Sequence, residues 1–173
     1  VDPTLLVVNG KPAISALMDD ASTFQRRIMF YLCASNTGFG PWSSRWIDSG
    51  IASSDESRTL IGNLEIVNGF PAVVWKDGAT NSSSIYFQMA TNVNGLGTWT
   101  RRTVTNNVPG AGRPNLALIG GCPAVAFTAN SAVRYAINSS PAGTGTWSVV
   151  TVANNAARSS GLDYQVRLST YNG

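Results

Sequence analysis

Leu64-Glu65-Ile66-Val67-Asn68-Gly69-Phe70-Pro71-Ala72-Val73 is an apolar strand that runs into Asn-Gly and returns through a proline. Asn-Gly supplies both left-handed residues of a two-residue hairpin turn. Proline is tolerated at the first position of the return strand, where its missing N–H breaks no ladder. The same text recurs upstream as Leu5-Leu6-Val7-Val8-Asn9-Gly10-Lys11-Pro12-Ala13-Ile14, and downstream as Leu116-Ala117-Leu118-Ile119-Gly120-Gly121-Cys122-Pro123-Ala124-Val125. Pro12, Pro71 and Pro123 are 59 and 52 residues apart. Leu168-Ser169-Thr170-Tyr171-Asn172-Gly173 opens a further copy, with Gly173 falling 52 residues after Gly121.

Each copy continues on one plan. The return strands, Ala13 to Met18, Ala72 to Lys76 and Ala124 to Thr128, are built of small and β-branched residues that suit burial on both faces. Third strands are predicted at Ile28 to Ala34, Ile85 to Ala90 and Val133 to Ile137. A glycine-rich turn ending in tryptophan follows: Gly38-Phe39-Gly40-Pro41-Trp42, Gly95-Leu96-Gly97-Thr98-Trp99 and Gly143-Thr144-Gly145-Thr146-Trp147. A fourth strand runs on from each tryptophan, as in Thr100 to Val104 and Ser148 to Val152. Four antiparallel strands in a unit of roughly fifty residues, with periodic Gly and Trp, are the mark of a β-propeller blade.

The expected fold is therefore all-β, one partial or open propeller domain spanning 1–173. Blade 1 covers about 4–52, blade 2 about 58–104 and blade 3 about 113–152, with the first strand of a fourth in about 162–173. A β-sandwich or a β-solenoid is the competing architecture. Three blades of this size fall short of a closed ring of typically about four to eight. The two bare sheet edges then call for flanking blades or self-association.

The repeats resemble those of bacterial secreted and surface β-propeller proteins, with their Asn-Gly-x-Pro-Ala hairpin, Tyr/Phe-rich third strand and Gly-x-x-Trp fourth strand. They are loosely similar to sialidase-type Asp-box repeats. The Asp-box itself is not met, since Asp is absent before Trp99 and Trp147 and the glycine is displaced. The resemblance covers nearly the whole chain and implies fold and an extracellular or cell-surface setting, not chemistry.

Composition narrows the function. Of the 173 residues 12% are charged and none is His, which removes the commonest general base and metal ligand together. Cys33 and Cys122 have no partners at metal spacing and are expected to be unpaired packing residues, with a disulfide as the alternative. No metal or cofactor is expected. The net charge of +3 comes from scattered arginines, so no nucleic-acid footprint is expected. No apolar run approaches the length of about 18 residues that a membrane helix needs. The start at Val1 without Met fits a processed or excised piece. Asn81-Ser82-Ser83 and Asn138-Ser139-Ser140 match the glycosylation sequon.

In a propeller, the loop between strands two and three opens on the same end as the connection into the next blade. That places Asp19, Asp20, Asp77 and Asn130 with Arg58, Arg113 and Arg158. The arginines before successive inner strands are candidates for a carboxylate site, because converging guanidinium forks bind carboxylates. Trp42, Trp99 and Trp147 read as packing between blades and Trp75 as core. Trp46, between Arg45 and Asp48, is the candidate for stacking on a sugar or partner. The candidate ligand-binding residues are thus Arg58, Arg113, Arg158, Asp77 and Trp46, and no catalytic residue is assigned. Glu65 is expected to face the central channel, but no acid pair for glycoside hydrolysis is evident. The expected function is a non-catalytic extracellular module for adhesion, glycan or protein binding, or assembly. A fragment of a secreted sialidase-like glycoside hydrolase and a structural subunit of a surface array or filament are the alternatives.

Overall fold

The computed structural model describes residues 3–20, 25–51, 59–79, 82–154 and 166–169. Sheet I is formed by β1 (Thr4–Val8), β2 (Lys11–Asp20), β3 (Gln25–Cys33) and β4 (Trp42–Ile51). Sheet II is formed by β5 (Leu60–Val67), β6 (Phe70–Ala79), β7 (Ser82–Ala90) and β8 (Trp99–Val108). Sheet III is formed by β9 (Asn115–Ile119), β10 (Cys122–Ala129), β11 (Ala132–Asn138) and β12 (Trp147–Ala153). Each is antiparallel with its strands in chain order, so each sequence repeat makes one four-stranded sheet. No ladder joins one sheet to another among the described residues, and the three do not close on themselves. Residues 166–169, where the further copy begins, take part in no strand, and 170–173 lie outside the described residues.

The first hairpins form as their sequence dictates. Val8 pairs with Lys11, Val67 with Phe70 and Ile119 with Cys122, leaving two-residue turns. Asn9, Asn68 and Gly120 have φ of 50°, 50° and 58°, each followed by a left-handed glycine. The glycine-rich turns also repeat: the amides of Ala34, Thr91 and Ser139 donate to the carbonyls of Pro41, Thr98 and Thr146 at 2.9, 2.8 and 3.0 Å. Within these turns Asn138 is buried, its Oδ1 accepting from the amides of Ser140 and Gly145 and its Nδ2 donating to the Gly145 carbonyl. That sequon asparagine is a turn-forming residue rather than a glycan acceptor. Every third-to-fourth-strand ladder carries a register shift beside Ile28, Ile85 or Val133, the same position in each repeat. Such bulges sharpen strand twist.

Two apolar clusters hold successive sheets face to face. Between sheets I and II lie Phe30, Ile28, Leu64, Val73 and Trp75, with Trp99 at the margin. Between sheets II and III lie Phe87, Val74, Leu116, Val125 and Phe127, with Trp147 at the margin. Full burial of each such side chain is worth roughly 1.5–3 kcal/mol. Both seams carry one device. Trp99 meets Phe30 with ring centroids 5.5 Å apart, and Trp147 meets Phe87 at 5.6 Å. The turn glycine lies flat on the same ring: a Cβ on Gly95 would come within 2.5 Å of Phe30, and one on Gly143 within 2.7 Å of Phe87. Hence glycine stands four residues before each tryptophan. The expected packing of Trp99 and Trp147 and the burial of Trp75 hold, whereas Trp42, which begins the fourth strand of sheet I, is exposed.

Candidate functional site

The first strand of each sheet carries a short polar residue just before a leucine, Thr4 in β1, Asn63 in β5 and Asn115 in β9, and each bonds the leucine amide of the following repeat. The Leu64 amide donates to Thr4 Oγ1 at 3.2 Å, and the Leu116 amide donates to Asn63 Oδ1 at 2.6 Å. Asn63 Nδ2 returns a bond to the Leu116 carbonyl at 2.8 Å, and Asn115 Nδ2 donates to Asn63 Oδ1 at 3.1 Å. The series continues past the last sheet, because the Leu168 amide donates to Asn115 Oδ1 at 2.7 Å. Close approach at this end also explains Gly62, where a Cβ would collide with the Pro114 carbonyl.

These side chains enclose a cleft of about 540 Å³ lined by Thr4, Asn63, Asn115, Arg113 and Arg167. A second hollow of about 370 Å³ shares Asn63, Asn115 and Leu168 and is lined by Glu65. Glu65 is half-buried, with its Oε1 accepting from the Ile66 amide at 3.0 Å. The end of the molecule where these strands start therefore combines two guanidinium groups, one carboxylate and a row of amides. Amides and guanidinium forks are suited to hold a carboxylate-bearing ligand.

The expected sharing of one end by the second turn and the inter-sheet connection is visible in sheets II and III. Thr59 Oγ1 donates to Asp77 Oδ1 at 3.1 Å, while the Gly112 amide donates to the Thr128 carbonyl and the Asn130 amide to the Pro109 carbonyl. Asp77 is thus engaged in tying down the approach to β5 and does not line the cleft that holds Arg113. Arg58 and Arg158 lie outside the described residues. Trp46 stands apart from Arg113. It is 41% exposed on β4, with the Arg27 guanidinium carbon 3.8 Å from its ring centroid. Both line an open groove of about 390 Å³ with Arg45, Thr98 and Trp99. Nearby, Arg101 bridges to Asp48 at 3.2 Å and lies over the Tyr86 ring. An exposed pair of this kind is worth at most about 1 kcal/mol.

Arg167, Asn63 and Asn115 were not legible as site residues, because a lone Arg or Asn at the head of a strand reads as ordinary surface. Their signal is positional: Thr4, Asn63, Asn115 and Arg167 occupy one column of the repeat. Cys33 and Cys122 are free thiols, buried and half-buried respectively. Burial pushes the Tyr135 phenol above the ordinary tyrosine value, and the neighbouring Cys122 adds to the shift. Among the described residues no group of three or more His, Cys, Asp or Glu could hold a metal ion, and no helix is long and apolar enough to cross a membrane. No protein-family model matches the chain, and neither curated proteins nor solved structures gave a match.

Proposed function

We propose that the three sheets are β-propeller-type blades and that the chain is a non-catalytic extracellular or cell-surface binding module. Its ligand is an acidic glycan held by Arg113 and Arg167. The carrying observation is the cleft at the head of the inner strands, where two arginines and the Asn63–Asn115 amides converge. Its volume falls within the range of about 300–1,000 Å³ usual for ligand sites. The blade reading is supported by the repetition of one ring-on-glycine seam and one polar hook from sheet to sheet.

A glycan array carrying carboxylated, sulfated and neutral sugars tests the reading. Carboxylated glycans are expected to bind, and Arg113→Ala is expected to lower their affinity by roughly tenfold, about the effect of losing one charge-assisted contact. Binding that ignores charge, or survives Arg113→Ala and Arg167→Ala together, would remove the site. Fluorogenic sialosides and aryl glycosides are expected to remain intact between about pH 4 and 9, since catalysis would need a positioned acid and base. Turnover lost in Glu65→Gln would replace the binding module with a hydrolase.

A further inference from the structure

The strands β1, β5 and β9 read TLLVV, LIGNLEIV and NLALI, so Glu65 is the one charged side chain among them. Leu6, Glu65, Ala117 and Ser169 form a column of the repeat, two residues on from Thr4, Asn63, Asn115 and Arg167. Strand rise makes that step roughly 7 Å. Glu65 is half-buried, and the small side chains of Ala117 and Ser169 leave open the hollow that it lines. Its Oε1 accepts from the Ile66 amide at 3.0 Å, while Oε2 has no hydrogen-bond or ion-pair partner among the described residues. A carboxylate drawn partly out of water without a cation is costly. Sheet I fills the same column with Leu6, which packs on the core, so packing does not call for an acid here. The hollow of Glu65 and the cleft of Arg113 and Arg167 share Asn63, Asn115, Leu168 and Ser169, and are two ends of one depression.

Resting on the acidic-glycan reading above, we infer that Glu65 is the specificity-determining residue of this site and that the ligand is a sugar with a single carboxylate, a hexuronic acid. Its carboxylate lies at the Arg113 and Arg167 end, and a ring hydroxyl donates to Glu65 Oε2. An ionised carboxylate only accepts hydrogen bonds, so it selects hydroxyl donors. A second anionic group at that end, such as a sulfate ester, meets like charge where water is partly excluded, which costs affinity. Between the two ends the Asn63 and Asn115 amides are tied to each other and to the backbone of Leu116 and Leu168. The choice among acidic ligands therefore falls to the charged ends, one of which attracts a carboxylate while the other repels a further acid.

NMR titration of the whole chain with methyl hexuronosides of gluco and galacto configuration tests this. The panel adds the same sugars with a sulfate on each ring hydroxyl in turn, and an amino-hexuronoside carrying an ammonium group. Wild type is expected to bind a plain hexuronoside, and sulfation at one position is expected to weaken it roughly tenfold, as a like-charge contact does. Glu65→Gln keeps the shape and an acceptor for the Ile66 amide, and is expected to erase that penalty. Glu65→Ala is expected to weaken the plain hexuronoside severalfold. A purely structural Glu65 would instead lower binding of every sugar alike, with the sulfate penalty unchanged in Glu65→Gln, and that result overturns the inference. Tighter binding of the ammonium-bearing sugar than of the plain one also overturns it. Carboxylated sugars that bind through Arg113 but ignore both sulfation and Glu65 sink this inference and leave the acidic-glycan reading standing. If no carboxylated sugar binds, or binding survives loss of Arg113 and Arg167 together, that reading falls and this one with it.

Discussion

The seam between sheets I and II and the seam between sheets II and III share their ring-on-glycine contact and differ at their centres. In the first, Trp75 is fully buried and its indole Nε1 donates to Gln88 Oε1 at 2.7 Å. Gln88, also buried, passes the chain across the seam by donating from Nε2 to the Ile47 carbonyl at 3.0 Å. In the second, Phe127 stands in the column of Trp75, and the surrounding cluster is apolar. A larger ring with a polar handle obliges its neighbours to supply an acceptor, because a buried unpaired donor is expensive. Once supplied, the glutamine also fixes sheet I relative to sheet II through β4. The centre of the second seam packs apolar side chains, and its polar bonds lie at one end, from Asn63 to Leu116 and Asn115.

The largest expected effect follows from that contrast. Phe127→Ala should destabilise by about 3–5 kcal/mol, the usual result of truncating a buried aromatic ring. Trp75→Ala should reach the upper end of that range, since it leaves a bigger cavity and also strips Gln88 Oε1 of its donor. Chemical denaturation midpoints of the two variants decide it. A Trp75→Ala that is milder than Phe127→Ala would mean that the polar chain contributes nothing.

Gln88→Leu sharpens the same point at smaller cost. It orphans the Trp75 N–H and the Ile47 carbonyl while keeping apolar volume, so a loss of about 1–3 kcal/mol is expected. Adding Trp75→Phe removes the orphaned donor, and the double variant should recover part of that loss. Strictly additive losses would show that the glutamine and the tryptophan act independently.

Much of this architecture was legible in the sequence because its causes are local. The Asn68-Gly69 turn, the proline that follows it and the Gly95-to-Trp99 spacing each impose geometry on their own few residues, and repetition confirmed them. The strands run longer than their apolar cores: β6 reaches Ala79 and β8 reaches Val108. Polar residues at those ends pair through the backbone, which hydrophobic patterning does not register. The role of Gln88 was hidden for a different reason. It sits at an ordinary strand position, and its burial depends on a neighbouring sheet some forty residues away in sequence. Trp46 and Arg113 were singled out as candidates for one ligand site, and the structure puts them in separate hollows. Asp77 was singled out for its loop and is spent on Thr59. Which loops share an end is a property of topology, but which side chains converge there depends on strand twist and stagger.

Tyr135 extends the comparison to a third ring position, and its expected effect is the smallest. Phe30 and Phe87 occupy that column in the closed seams, whereas Tyr135 carries a phenol, again a ring with a polar handle. Burial raises its pKa above the ordinary tyrosine value, and Cys122 adds to the rise. A pKa raised on folding means that the folded state favours the neutral phenol, so the unfolded chain gives up its proton at lower pH. Stability from this group is therefore fully present below the ordinary tyrosine value and is lost as pH climbs from there through the raised value. Ultraviolet titration of the native chain should show one tyrosine ionising late, and Tyr135→Phe should delete that step. The same substitution should flatten the alkaline fall in denaturation midpoint, and Cys122→Ala should shift the late step only slightly downward. A late step that survives Tyr135→Phe would place the perturbed phenol elsewhere and detach sheet III from the pattern set by Trp75 and Gln88.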